Sequence, residues 1–463
     1  MLSKNIRRKT LSILTLVSLI LSLIAPAAGA SSVLPAAEGG ADGAAGASSL
    51  TLKNKTAPRS PLDFNPAPLS IPAHPPASEA AALRPMGAQT ISTDTTWNTP
   101  QNLTQDVVIQ SGAILTVTAG ADVNIACTDT GNAGIDATRI EIIVQSGELR
   151  ADGATFQGTG SPAPGCWYGI EYRSGTDGYL RNSTVTDGVV GVTIEDSSPE
   201  LDTNTIANMK GDDGRAGAPL SGADGTPGQD GIGVSITGTL AAPAIHDNFI
   251  AEIAGGNGGS GGSGADGPGP GVPGFPGGAG ADAGGAYGIL VQNGAVPNVE
   301  RNTIIALYGG AGGAGGDGGN GVNGPSSTDP LNPNGVPGSA GGAGGDGGDG
   351  GEAVGIDIRA SSPLVDRNFI NEIVLGGNGG NGGLGGDGGI GGAGFDPGGM
   401  GVPDTPGGNG GDGGDGGQGG EAGDGGEADG IRTLGDSAPT ITRNAASAIF
   451  GGAGGTGGAG GAG

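Results

Sequence analysis

Aromatic and basic residues are both scarce in this chain of 463 residues, and each shortage excludes a class of protein. Aromatics make up 3% of the sequence and hydrophobic residues 35%, so a core must consist of small layers of Val, Ile and Leu. The 19 Lys and Arg are outnumbered by 46 Asp and Glu, which gives a formal net charge of −27. A surface this acidic repels nucleic acid and anionic lipid. We expect no nucleic-acid partner, no cofactor and at most weak Ca²⁺ binding.

Histidine is also scarce, and this limits the chemistry. The chain has two, His74 and His246, so no Ser-His-Asp set can be assembled. Glycoside hydrolysis needs two acids at a fixed separation, and the adjacent acids Asp212 and Asp213 lie in Gly-rich sequence that cannot hold such a geometry. A second acidic cluster is typical of a solvated outer face: Glu195, Asp196, Glu200 and Asp202. We therefore predict no catalytic residue and no metal site, with His246 as an ordinary surface residue.

Long hydrophobic runs are confined to the N-terminus. Residues 11–24 are apolar, follow four basic residues and precede the small residues Ala28, Gly29 and Ala30, which predicts a signal peptide over residues 1–30. The alternative is a retained membrane anchor, but the run is shorter than the ~20 residues of a spanning helix. Residues 31–93 are rich in Ala, Pro and Ser and predict a disordered tether, or else a pro-segment. We expect a secreted or cell-surface bacterial protein with no membrane insertion after cleavage.

Cysteine and aromatic residues concentrate in one part of the chain. The two cysteines, Cys127 and Cys166, are compatible with one disulfide in a secreted protein; the alternative is two free buried thiols. Four aromatic residues next to Cys166 could stack on sugar rings if they are exposed, or close the early core if they are buried: Trp167, Tyr168, Tyr172 and Tyr179.

Five short segments repeat without gaps, and each contains a Pro followed five positions later by an Asn. An aliphatic residue stands two after each Pro, and another stands two after each Asn except at Ala446. A third hydrophobic residue stands five after each Asn, as at Met209 and Ile373. This pattern predicts successive coils of a three-faced solenoid, with N-terminal coils over residues 94–206 and interrupted coils over 207–463. The Asn residues would form one column, in which each side-chain amide bonds its neighbour: Asn204, Asn248, Asn302, Asn368 and Asn444.

At these residues the chain resembles the right-handed parallel β-helix proteins of the pectin-lyase-like group. The resemblance covers about residues 95–450 without the inserts. It includes the stretch from Trp97 through SGAILTVTAGADV, GELRADGATF and CWYGI, and the repeated S-S-P-x-hydrophobic-x-x-N-x-I unit. It implies an all-β solenoid with long Gly-rich loop insertions leaving from one turn. It does not imply one function, because the fold hosts lyases, hydrolases, adhesins and passive surface proteins.

Gly-rich inserts separate the repeated segments, at about residues 211–232, 255–287, 309–354, 376–429 and 451–463. Their period is three, Gly-Gly-X, with a Pro-containing tip between two legs. Three structures fit this pattern: disorder, an extended helix with three residues per turn, and a calcium-binding roll. Residues 261–266 match the roll motif GGxGxD, but Pro268 stands where an aliphatic residue is required. Since no capping segment follows the last unit, we expect the natural chain to continue past Gly463.

These observations favour a binding protein over an enzyme, and both classes stay open. We predict a secreted, non-catalytic bacterial surface or extracellular scaffold of the adhesion type, with carbohydrate or another surface protein as its partner. One alternative is a polysaccharide lyase or hydrolase on the same fold. Another is binding to a repetitive surface, such as ice or a crystalline glycan, through the Gly-rich inserts.

Overall fold

A computed structural model describes residues 88–129, 133–159, 164–329, 331–396 and 409–463. The predicted signal peptide and most of the predicted tether lie outside these residues. The first strand begins at Gln89, before residue 93, at which the tether was expected to end. The described residues form strands, turns and extended segments, and none of them forms a helix that could cross a membrane.

The strands, numbered in chain order, belong to three sheets. The first sheet contains β1 (Gln89–Ile91), β4 (Val107–Ile109), β7 (Glu141–Val144), β10 (Gly169–Tyr172), β13 (Val190–Glu195), β16 (Gly231–Thr237), β19 (Ala286–Gln292), β22 (Ala353–Arg359) and β25 (Ala428–Leu434). The second contains β2 (Thr95–Trp97), β5 (Ile114–Val117), β8 (Glu148–Asp152), β11 (Asp177–Arg181), β14 (Glu200–Asp202), β17 (Ala244–His246), β20 (Asn298–Glu300), β23 (Leu364–Asp366) and β26 (Thr440–Thr442).

The third sheet contains β3 (Gln101–Leu103), β6 (Asp122–Ala126), β9 (Thr155–Thr159), β12 (Thr184–Thr186), β15 (Thr205–Lys210), β18 (Phe249–Ala254), β21 (Thr303–Tyr308), β24 (Phe369–Leu375), β27 (Ala445–Ala446) and β28 (Ile449–Phe450). Consecutive strands of each sheet are three apart in the chain and pair in parallel, and both β27 and β28 pair with β24. Three strands therefore make one coil, and the predicted right-handed parallel β-helix is confirmed.

Equivalent aliphatic side chains of successive coils stack inside. Leu201, Ile245, Val299 and Val365 are paired in register and buried. The column after each Asn is likewise in register, at Ile206, Ile250, Ile304 and Ile370. In the third column, Val374 rather than Ile373 pairs with Leu307, because the register shifts within β24. Placing Ile373 in that column was wrong.

Left-handed backbone explains why two inward residues can lie three positions apart in one strand. Strict alternation would send Ile206 and Met209 to opposite faces, yet both are buried. Asn208 between them has a φ of 60°, and this local twist returns Met209 to the core. Equivalent residues of the following coils have the same conformation: Glu252, Ala306, Glu372 and Ala448.

The five predicted Asn residues form one continuous ladder at a turn between the second and third sheets. Asn248 donates from its side chain to Oδ1 of Asn302 (2.9 Å) and from its backbone N–H to the same oxygen (3.1 Å). Asn302 in turn donates to the carbonyl of Ile245 (2.9 Å) and to Oδ1 of Asn368 (3.0 Å). Each amide thus satisfies the turn backbone of the preceding coil, where strand pairing is interrupted.

Removing one Asn side chain of the ladder should lower the free energy of unfolding more than removing an exposed side-chain amide. In Asn302→Ala, the N–H and side-chain donors of Asn248 lose their acceptor inside the structure, so we expect a loss of about 3 kcal/mol in the free energy of unfolding. Gln418→Ala, at an exposed position, should change it by less than about 0.5 kcal/mol. Chemical denaturation of both variants measures the difference, and equal stability of the two would contradict a structural role for the ladder.

Candidate functional site

Four Gly-rich segments leave the solenoid at one edge, between the third sheet and the first. They span residues 211–230, 255–285, 309–352 and 376–427, and a fifth, 451–463, follows β28. We call the half that leaves the third sheet the outgoing leg and the half that leads into the first sheet the returning leg. The tip of the fourth segment, residues 397–408, lies outside the described residues.

Backbone hydrogen bonds join the legs into a bundle two layers thick. The first Gly of a triplet bonds the same kind of leg on the next coil: the N–H of Gly382 donates to the carbonyl of Thr456 (2.9 Å). The second Gly bonds the other layer: the N–H of Gly383 donates to the carbonyl of Gly345 (2.8 Å). This ordered pairing has the three-residue repeat of an extended polyglycine helix; the disordered alternative and the calcium roll do not describe it.

Close approach of neighbouring legs explains why Gly occupies these positions. A Cβ on Gly345 would lie 1.9 Å from the carbonyl oxygen of Gly278, and one on Gly383 would lie 2.0 Å from that of Gly316. No side chain fits at such distances. X is therefore the one position of each triplet that can carry a side chain, and the X residues of the fourth outgoing leg are exposed at Asn378, Asn381, Leu384, Asp387 and Ile390.

Asp and Asn at X complete the hydrogen bonding of the bundle. The backbone N–H of Leu384 donates to Oδ1 of Asp317 (2.8 Å), one coil earlier. The N–H of Ala453 donates in the same way to Oδ1 of Asn378 (3.0 Å). In the described parts of the legs the X amide has no carbonyl partner, so the side chain of the adjacent coil supplies its acceptor. The frequency of Asp and Asn at X is the sequence signal for this contact.

The two layers expose faces of different charge. The returning-leg face consists largely of acids and carries no Lys or Arg at an X position: Asp224, Asp230, Asp282, Asp346, Asp349, Glu352, Asp412, Asp415, Glu421, Asp424 and Glu427. The outgoing-leg face consists mostly of Ala, Ser, Asn and Thr, with four acids: Asp213, Asp266, Asp317 and Asp387. Within the bundle, the outgoing-leg face is thus the less charged of the two.

Large apolar side chains lie on the outgoing side. Leu384 is 52% exposed and Ile390 72%. The outgoing legs continue the strands of the third sheet, where Tyr308, Leu375 and Phe450 are in register and exposed. Apolar side chains that share one exposed face are typical of a binding surface.

The cysteines and the four aromatic residues do not form a sugar-stacking surface. Cys127 and Cys166 lie in a disulfide, with Cα atoms 4.4 Å apart. Trp167 and Tyr172 have no exposed surface and belong to the core, so the expectation that they could stack on carbohydrate is corrected. Tyr168 and Tyr179 are partly buried, and Tyr179 stacks under the guanidinium of Arg181.

Three buried acids near the N-terminal end of the first sheet were missed by the sequence analysis. Asp106 accepts from the backbone N–H groups of Ala133 (2.6 Å) and Glu141 (2.8 Å). Glu141 accepts from those of Ile135 and Asp136, and Glu171 pairs with Arg173 (3.0 Å). Burial raises the pKa of Asp106 to about 6, and burial together with nearby Glu171 raises the pKa of Glu141.

Asp106 and Glu141 hold a loop to the solenoid. All three carboxyl groups have almost no contact with solvent: Asp106 and Glu141 are 0% exposed and Glu171 is 1% exposed. A pair of acids that cleaves a polysaccharide must reach the glycosidic bond. The burial and hydrogen bonds of these three acids therefore indicate a structural role. The signal for them was an acid within an apolar strand, as in Glu141-Ile142-Ile143-Val144.

No protein-family model matches the chain, and no curated protein matches it. Among solved structures, the periplasmic alginate epimerase AlgG is 9% identical with a TM-score of 0.22, over 60% of this chain and 65% of that one. PfbA, a surface adhesin of Streptococcus pneumoniae, is 9% identical with a TM-score of 0.21, over 64% of this chain and 84% of that one. The chain thus matches less than two thirds of the epimerase. We draw nothing about activity from similarity this low.

Adding one methyl group should push neighbouring legs apart at a closely packed Gly and not at a Gly that has free space beside it. Gly345→Ala places a Cβ 1.9 Å from the carbonyl oxygen of Gly278, whereas Gly413→Ala meets its nearest atom at 3.8 Å. We expect G345A to lower the free energy of unfolding by about 1–3 kcal/mol and G413A to leave it nearly unchanged. Thermal unfolding of the two variants measures this; equal effects would exclude a close-packed bundle.

Asp106 should make stability depend on pH between about 4 and 6. The folded protein holds this proton more tightly than the unfolded chain, whose Asp pKa is 3.8. The free energy of unfolding therefore falls as the pH rises through this window, by at most about 3 kcal/mol. Asp106→Asn should remove the contribution of Asp106 to this slope and leave that of Glu141, and Asp415→Asn, at an exposed position, should retain the full slope. Urea unfolding at several pH values measures the slopes; parallel curves for the parent and D106N would refute the assignment.

Proposed function

We propose that the chain is a secreted, non-catalytic bacterial surface or extracellular scaffold of the adhesion type, which binds carbohydrate or another surface protein through the outgoing-leg face. The observation that supports this best is the bundle itself. Its legs present exposed X side chains at regular intervals, about 9 Å along a leg and about 4.8 Å between coils.

Order in the bundle favours binding. Backbone amides of the legs are hydrogen-bonded to neighbouring legs on both sides. A surface that is already ordered loses little conformational entropy when a ligand binds, so more of the contact energy contributes to affinity. Long, flexible Gly loops would lack this advantage.

Charge favours the outgoing-leg face over the returning-leg face. Its X residues are mostly uncharged, and Leu384, Ile390 and Tyr308 add exposed apolar surface. The returning-leg face would repel an anionic ligand. A neutral carbohydrate, or a surface protein with an apolar patch, suits the outgoing-leg face better.

Matched substitutions on the two faces test this proposal. Leu384→Asp combined with Ile390→Asp places two charges on the outgoing-leg face, and Ala343→Asp combined with Gln418→Asp places two on the returning-leg face. All four positions are exposed or half-buried. Binding of the full chain to a panel of neutral glycans, uronate glycans and bacterial surfaces is measured. We expect the outgoing-leg variant to weaken binding roughly tenfold or more, and the returning-leg variant to bind as the parent does.

Other outcomes would overturn the proposal. Equal loss in both variants, or none in either, would remove the outgoing-leg face from the interaction. New reducing ends or unsaturated products from any glycan would favour the enzyme alternative. Binding to ice or crystalline glycan but to no soluble ligand, with the same loss in the outgoing-leg variant, would favour recognition of a repetitive surface.

A further inference from the structure

A compact group of polar side chains lies on the outer side of the second sheet, away from the legs. His246 on β17 stands in register with Asp202 on β14, and Asp247 follows it with a φ of 58°. Nδ1 of His246 lies 3.2 Å from Oδ1 of Asp202 and 3.2 Å from Oδ2 of Asp247. These ligand atoms all lie within 4.8 Å of one another.

One ring nitrogen faces two carboxylates, which a neutral histidine does not explain. A neutral imidazole carries one N–H, and each ring nitrogen has a single site for a proton or a metal. Nε2 already has a partner, Oε1 of Glu200 at 3.3 Å. An imidazolium would donate from both of its nitrogens to these carboxylates. In the neutral ring with its proton on Nε2, Nδ1 instead directs a lone pair at two negative oxygens, and a cation bound between them would stabilise this arrangement.

We propose that Nδ1 of His246, Oδ1 of Asp202 and Oδ2 of Asp247 bind a divalent cation of the zinc class. In tetrahedral zinc sites the metal–ligand distances are about 2.0–2.1 Å, which places neighbouring ligand atoms about 3.3 Å apart. Both distances from Nδ1, of 3.2 Å each, agree with this spacing. The ligand side chains are 23%, 28% and 40% exposed, so a fourth position is open to water or to an outside ligand.

The surrounding residues orient these ligands as the partners of metal ligands do. A metal-bound His commonly donates its other N–H to a carboxylate. Here the carboxylate of Glu200 would accept from Nε2 of His246. Arg301 holds Asp247 through two contacts, of 2.9 Å and 2.7 Å. Arg181 pairs with Glu200. This supporting shell distinguishes the group from the exposed acids of the legs.

The donor set indicates the class of ion. One imidazole and two carboxylates suit zinc and neighbouring transition metals, whereas Ca²⁺ takes six or more oxygen ligands and Mg²⁺ an octahedral set. The ion would connect two successive coils through β14 and β17. This inference does not depend on the proposed function of the legs.

Metal titration of the full chain tests the site. After removal of metal with a chelator, we expect one Zn²⁺ to bind in competition with a chromophoric chelator, and Co²⁺ to give the intense visible absorption of tetrahedral coordination. His246→Ala should weaken the affinity at least 100-fold and Asp202→Asn at least tenfold. His246→Gln retains a polar side chain of similar length and should show the same loss as H246A if the ring nitrogen is the ligand.

A nearby acid provides the matched control. Asp152 lies in the same outward column, two coils before Asp202, and Asp152→Asn should leave the affinity unchanged. Stoichiometric binding that persists in both H246A and H246Q would overturn the site and indicate general binding to the acidic legs. Absence of the tetrahedral Co²⁺ spectrum in the parent protein would overturn it as well.

Discussion

Hydrogen bonding between successive coils is the constraint on which the rest of the structure depends. Parallel strands pair at about 4.8 Å, and the same spacing continues from the strands into the legs. Leu375 pairs with Phe450 in the third sheet, and the next residue, Gly376, donates to the carbonyl of Phe450 (2.9 Å). The legs are therefore a continuation of the solenoid without its core. A second layer of backbone replaces that core, which is why Gly is required there.

Side-chain oxygens satisfy the backbone wherever strand pairing is interrupted. Inside, Asn302 accepts from the turn N–H of Asn248. Outside, Asp317 and Asn378 accept from the X amides of the next coil. In the Asn ladder and in the legs alike, a side-chain oxygen of one coil accepts from a backbone N–H of a neighbouring coil that has no carbonyl partner. Many of the acids in this chain thus have a local structural role, and the net charge of −27 is partly its consequence.

Much of the solenoid could be predicted from the sequence, because its signals are local and repeated. The spacing from Pro to Asn sets the length of a turn, and the aliphatic columns follow from it. The exchange of Ile373 for Val374 could not be predicted, because it depends on a shift of register between neighbouring coils. The order of the legs could not be predicted either: a single Gly-Gly-X leg has no partner, and its amides are satisfied only when several legs stack. Burial of Trp167 depended on how the early coils close.

Hydrogen–deuterium exchange of the leg peptides tests most directly whether the inserts are part of the folded structure. We predict strong protection of the Gly amides in residues 309–324 and 341–351, comparable with that of the strands, and rapid exchange at the tip around Pro325. Immediate exchange along both legs, with the strands still protected, would contradict the account and reduce the bundle to loose loops.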